Sequence, residues 1–196
     1  MHAVFFEMRP HAGHLAHYFD HVARLKPVLA RHAGLAFLDR YRSLAEDDVL
    51  LSHQLWQSEA AIAAWRADAE HRRSQAAGRA VHFANYRIRV GERVRHWQAS
   101  TTGSTHCAAS AGDGQHVIAL YSRHPIAGPS FTAFESVNHS SRFIALATTE
   151  GAQRADDVLA HQIGADGLEA AAVYAITRDY SQVDRAQAPN KDGPRG

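Results

Sequence analysis

The chain has 196 residues, and its 21 Lys+Arg against 20 Asp+Glu leave it close to neutral, which excludes a whole-surface footprint for nucleic acid or an anionic membrane. A single cysteine, Cys107, excludes an intrachain disulfide and a cysteine-based zinc cage and fits a reducing cytoplasm. No apolar run approaches a transmembrane span, and the opening MHAVFFEMRP lacks the basic region and cleavage site of a signal peptide, so a soluble cytoplasmic protein with no nucleic-acid or membrane partner is expected.

Residues 3–9, AVFFEMR, are short, apolar and bounded by Pro10, which predicts a strand. Alternation puts Val4, Phe6 and Met8 on one face and Ala3, Phe5 and Glu7 on the other. The period then changes. Leu15, Tyr18, Phe19, Val22, Leu25 and Leu29 fall on one stripe of a helix that Pro27 kinks or splits and Gly34 stops. On the flank of that stripe His14, His17 and His21 recur at spacings of three and four, which stacks side chains on one helical face. Three imidazoles would suit zinc, copper or non-haem iron. Asp20, however, points elsewhere, and three histidines of one helix want a fourth ligand from another element. The favoured reading is a polar shoulder against a loop or second subunit, with a metal site on His14, His17 and His21 as the lesser alternative.

Two extended segments follow, LAFLDRYRSL and VLLSHQLW, joined by the polar turn AEDD. Within the second, Val49, Leu51 and Leu55 oppose Leu50 and Trp56, and His53 shares the face of Leu51 and Leu55. Ser58 is placed to cap a second helix, EAAIAAWRADAEHRRSQAAG, ending at Gly78. VHFANYRIRV then reads as a strand with Phe83, Asn85, Arg87 and Arg89 on one face and Tyr86, Ile88 and Val90 on the other. Salt bridges to another subunit are the favoured role for its arginines.

The order β-α-β-β-α-β is the ferredoxin-like arrangement, an α+β fold with helices on one face of an antiparallel sheet. Large apolar residues on both faces require a second sheet on the other side. Residues 96–115, rich in Ser, Thr, Ala and Gly, read as a flexible linker after a first domain of residues 1–95. HVIALYSRH, FTAFESVN and SRFIALATT then predict three strands, EGAQRADDVLAHQIG a helix and LEAAAVYAITRDY a last strand. Residues 116–181 thus form a degenerate second ferredoxin-like half without its first helix, and the polar tail 182–196 is expected to be disordered. Whether the barrel closes within one chain or between two is open at this point, with a homodimer as the default if the halves stay apart.

Residues 55–92, LWQSEAAIAAWRADAEHRRSQAAGRAVHFANYRIRVGE, with the strand–helix–strand before them, resemble the antibiotic biosynthesis monooxygenase superfamily of dimeric α/β barrels. The resemblance spans about residues 1–95 and is marked by Trp56, Trp65, His71, Gly78-Arg79 and YRIRV. It implies a cavity between sheet and helices, and it includes cofactor-independent quinone-forming monooxygenases as well as haem-degrading oxygenases. The haem-degrading branch uses an Asn, a Trp and an axial His; here those positions are Met8, Trp65 and Gln75, so two of three differ. His71 stands where the cofactor-independent branch carries a polar aromatic residue, and Asn85 and Arg87 are loose candidates for that branch's other cavity residues.

On one continuous helix Asp68, His71 and Gln75 would stand at i, i+3 and i+7 beside Trp65 and Ile62. An Asp one turn from a His fixes its tautomer and raises its basicity. The resulting expectation is a catalytic group of His71 as base, Asp68 as its orienting partner and Trp65 packing on substrate, with Phe6, Met8, His53, Gln75 and Tyr86 as substrate-binding residues. The substrate would be a small hydrophobic aromatic, a phenol or hydroquinone, oxidised by dioxygen with no cofactor. The alternatives are haem binding or degradation, and a non-catalytic small-ligand module.

Overall fold

The computed structural model describes residues 1–99, 105–106, 112–126 and 128–189. The first half runs β1 (His2–Pro10), α1 (Leu15–Leu29), β2 (Leu35–Ser43), β3 (Leu50–Trp56), α2 (Glu59–Ala67), α3 (Ala69–Ala77), a π-helical turn (Gly78–His82) and β4 (Phe83–Gln98). The second runs β5 (Thr105–His106), β6 (Gln115–Ser122), β7 (Thr132–Ser136), β8 (Phe143–Glu150), α4 (Ala152–Gln162) and β9 (Leu168–Ser181).

The described strands form one sheet in the order β1-β3-β2-β7-β8-β6-β9-β4-β5, and β1 also pairs with β4. That last pairing closes eight of the strands into an antiparallel barrel within a single chain. Closure therefore uses no second copy, because the second half occupies the position a partner's sheet would take. The order β4-β1-β3-β2 in the first half is matched by β9-β6-β8-β7 in the second. The halves meet at two seams, β2 with β7 and β4 with β9.

The alternation read from the sequence is the one the barrel uses. Ala3, Phe5 and Leu51 join Tyr41, Phe134 and Tyr174 in the interior, while Trp56 and Val90 face α1 and α2 and Met8, Leu50 and Tyr86 face α1 with Tyr18. Phe83 departs from its expected face. The β1–β4 register shifts between Arg9 and Pro10, and Phe83 turns to the helix side, edge-on to Phe6 at 5.6 Å. On the far side of the barrel α4 covers Ile118, Leu120, Ala145 and Val173 with Ala155 and Leu159.

Four expectations about local structure change. Pro27 neither splits nor ends α1, because the helix stops two residues later and only one backbone bond is forfeited. The second helix breaks at Asp68, whose ψ of 134° lies outside the helical range. His96, Trp97 and Gln98, expected in the linker, extend β4 against Ala172, Ala171 and Ala170, and Thr105–His106 returns to pair with it. The remaining linker positions, 100–104 and 107–111, lie outside the described residues, as do 190–196 of the tail. Residues 182–189 are tied back to the barrel by Gln182 N–H donating to the Tyr86 carbonyl at 3.1 Å and by Arg185 donating to the Tyr86 hydroxyl at 2.6 Å.

Arg87 and Arg89 also find their partners inside the chain. Arg87 donates to Asp179 across the β4–β9 seam at 2.9 Å. Arg89, 4 % exposed, pairs with Glu7 and donates to Thr148 of β8 at 2.8 Å across the interior. His53 is buried there too, stacked on Phe5 at 4.6 Å between ring centres. Its Nδ1 lies 3.4 Å from the Val4 carbonyl, which only accepts, so Nε2 takes a hydrogen bond from the Tyr121 hydroxyl at 2.7 Å.

Two outcomes follow from this interior. Gly91 lies where β4 crosses β9, and a Cβ there would meet the Ala175 carbonyl oxygen at 2.7 Å; Gly91→Ala is expected to lower stability by about 1–3 kcal/mol in urea denaturation. Burial pulls the His53 pKa from 6.5 down to about 4, so between those values the unfolded chain binds more protons than the folded one. Its contribution is complete above pH 6.5 and is lost as pH falls toward 4, roughly 3 kcal/mol in all. Replacing His53 with Phe should flatten that part of the stability–pH curve, whereas an unchanged slope would assign the acid sensitivity elsewhere.

Candidate functional site

The predicted site residues fall into three groups rather than one. Trp65, Asp68, His71 and Gln75 come together where α2 meets α3. Phe6, Met8 and Tyr86 pack with Tyr18 and Leu50 beneath α1, and the Tyr86 hydroxyl is taken by Arg185. His53 lies on the opposite face of the sheet, inside the barrel. A single cavity lined by all of these residues is thus excluded by the pleat, which separates even from odd positions along a strand.

The α2–α3 junction is built by short-range hydrogen bonding. Ser58 caps α2 by accepting from Ala61 N–H at 3.1 Å, as the sequence suggests. Nine residues into that helix Asp68 leaves helical geometry, and its Oδ1 accepts from the backbone N–H groups of Glu70 at 2.9 Å and His71 at 3.1 Å. Asp68 is therefore the N-cap of α3. The break turns the His71 ring back over Trp65, face to face at 4.0 Å and 13°. Trp65 itself is 5 % exposed and packs on Val28, Leu29 and Ile62.

This geometry corrects the expected pairing of Asp68 with His71. The carboxylate reaches the His71 backbone, while its Oδ2 lies 3.2 Å from Nε2 of His32. The His71 ring instead places Nδ1 3.0 Å from the Trp65 carbonyl oxygen. A carbonyl only accepts, so Nδ1 carries the proton and Nε2 holds the lone pair, with the Gln75 amide nitrogen 3.4 Å away. Burial lowers the His71 pKa to about 4, against the smaller opposing effect of the Trp65 carbonyl. His71 is neutral at pH 7 and a weak base.

His32 is the residue that sequence reasoning missed. It lies beyond the end of α1 and 36 positions from Asp68, so no local spacing joins the two. Its ring meets Trp65 edge-on at 5.1 Å, and both His32 and Asp68 keep about a fifth of their side chains open to solvent. Hydrogen bonds from the His71 backbone and the His32 ring hold the Asp68 carboxyl below its ordinary pKa, so it is ionised at neutral pH. An ionised carboxylate on Nε2–H leaves Nδ1 of His32 as the basic nitrogen, the arrangement that makes an imidazole a general base.

A separate open cavity of about 570 Å³ lies at the β4–β9 seam, lined by Arg87, Asp179, Tyr180 and Gln187 among others. Its charged groups Arg87 and Asp179 are paired with each other, and apart from Arg87, a loose candidate in the sequence, no residue of the predicted site lines it.

Among the described residues no helix is long and apolar enough to cross a membrane. No curated protein matches the sequence. Among solved structures, an aldoxime dehydratase superposes with a TM-score of 0.53 at 9 % identity over 89 % of this chain and 80 % of its own, a likeness of fold. A candidate antibiotic biosynthesis monooxygenase from Deinococcus radiodurans gives a TM-score of 0.44 at 13 % identity, covering 56 % of this chain and all of its own. An anthrone oxidase-like protein gives 0.43 at 12 % identity, covering 96 % of each chain. Residues 1–77, which hold His32, Trp65, Asp68, His71 and Gln75, match the family described as antibiotic biosynthesis monooxygenase.

Proposed function

We propose that this protein is a monooxygenase that oxidises a small hydrophobic aromatic of the phenol or hydroquinone type with dioxygen and without a bound cofactor. The observation that carries the reading is the His32 imidazole held by Asp68 at 3.2 Å against Trp65, within the stretch that matches the monooxygenase family. The His32 Nδ1 lone pair takes the phenolic proton, and Asp68 stabilises the imidazolium that forms. The phenolate passes one electron to dioxygen. Superoxide and the phenoxyl radical then join at a ring carbon, and the peroxide collapses to a quinone and water. All four electrons come from the phenol, one oxygen atom stays on the ring and the other leaves in water, so no external reductant enters.

His71 takes a positioning role in this scheme, since its Nδ1 is engaged by the Trp65 carbonyl and its stacking fixes the indole. The haem alternative is less well supported. Met8 is buried beside Leu50 and Tyr86 and Gln75 leans on the His71 ring, so neither position offers an axial imidazole.

Oxygen uptake and quinone absorbance with a panel of phenols test the reading. His32→Gln and Asp68→Asn are each expected to lower kcat about 100-fold or more, with His71→Gln acting mainly through KM. Undiminished turnover in His32→Gln would remove His32 as the base. A wild-type chain that binds phenols without consuming oxygen would favour the non-catalytic module, and a stoichiometric Soret band on haemin titration would favour haem.

A further inference from the structure

The helix-flank histidines gain a neighbour that their own helix cannot provide. His82, in the π-helical turn after α3, inserts its ring among them. The ring centres of His14, His17 and His82 form a nearly equilateral triangle, with His14–His17 at 5.6 Å and both His14–His82 and His17–His82 at 5.4 Å. Three imidazoles on one tetrahedral zinc ion have metal–nitrogen bonds of about 2.0–2.1 Å, which puts their ring centres roughly 5.2 Å apart. The Nδ1 atoms of His14 and His82 are already 3.1 Å apart, close to the roughly 3.3 Å edge between two nitrogens on such an ion.

We propose that His14, His17 and His82 form a binding site for a divalent transition-metal ion of the zinc type. The backbone holds its two elements in register: His11 N–H donates to the His82 carbonyl at 2.9 Å, and His14 N–H donates to the His11 carbonyl at 2.9 Å. As the side chains lie, no group of three or more His, Cys, Asp or Glu among the described residues is already arranged around one point. Binding therefore needs rotation of the rings, and this is open to His17, whose side chain is 59 % exposed. Asp20, expected to point away, stands 3.9 Å from His17 Nδ1, outside hydrogen-bond distance but near enough that the same ring rotation would let it accept from Nδ1–H and leave Nε2 for the metal. His21 belongs to the surround. Its Nδ1 accepts from Arg24 at 2.9 Å and lies 2.8 Å from Ser74 Oγ, so its proton sits on Nε2 and the lone pair is already used. Three protein ligands leave a fourth position for water or a small anion.

The proposal does not depend on the oxygenase reading, and its test does not use turnover. The full chain, without a polyhistidine tag and stripped with chelator, is titrated with Zn²⁺ by calorimetry, with Co²⁺ as an optical substitute. One ion per chain and the visible bands of tetrahedral Co²⁺ are expected. His82→Gln and His17→Gln should each weaken Zn²⁺ binding at least tenfold, whereas His161→Gln on α4 should leave it unchanged. His17→Gln is the safeguard against a folding defect, because that side chain is exposed. Failure to bind one equivalent of Zn²⁺, or binding that survives both substitutions, overturns the site.

Discussion

A sheet with apolar side chains on both faces has to be covered twice, and the architecture follows from that requirement. Phe5 and Leu51 point inward while Met8, Leu50 and Trp56 point toward the helices, so helices alone would leave a wide apolar surface in water. The chain answers with a second set of strands of its own. Closure buries Phe134, Ile144, Ala172 and Tyr174 against the first half and makes the cover intramolecular. It also converts residues that read as subunit contacts into internal ties, with Arg87 on Asp179 and Arg89 on Thr148 each joining the first half to the second.

Inside the barrel two matched sets of polar groups stand out, although the buried Nε of Arg89 is left without a partner. Asp39, 3 % exposed, accepts from Ser136 Oγ at 2.8 Å and from Asn138 Nδ2 at 2.7 Å, which satisfies a buried carboxylate and pins β2 to β7. The His53–Tyr121–Tyr174 chain starts beside Asp39 on the neighbouring strand and crosses the interior from β3 to β6 and β9, with the two hydroxyls 3.3 Å apart. Such sets are demanding of geometry and so favour one arrangement of strands over slipped alternatives.

What the sequence made legible was local and periodic. The alternation in β1 and β3, the cap at Ser58 and the strand order within each half all rest on contacts between near neighbours or on a period of two. The break at Asp68 was hidden because a single residue changes ψ within a run of good helix formers, and its cause is a carboxylate that caps the following turn. The pairing of Asp68 with His32 and the approach of His82 to α1 were hidden for a different reason. Each joins elements far apart in sequence through the packing of α1 on α3 and the π-turn, which no spacing encodes. The mode of barrel closure depended likewise on β1–β4 and β4–β9 pairing across long stretches of chain.

The two seams are unequal. β4 and β9 pair from Arg87 to Gln98 against Ala170 to Ser181, whereas β2 and β7 meet only from Tyr41 to Ser43 against Phe134 to Ser136. A cylinder joined by one long weld and one short clasp does not breathe evenly. Fewer ladder bonds have to break at the clasp than at the weld, which makes the clasp the weaker joint against local opening. Beyond its short ladder the clasp is held by Leu44 N–H on the Ala133 carbonyl and Val137 N–H on the Arg40 carbonyl, both at 2.9 Å, and by the Asp39 carboxylate on Ser136 and Asn138, so each of these few ties carries a larger share of the closure than any one bond of the weld.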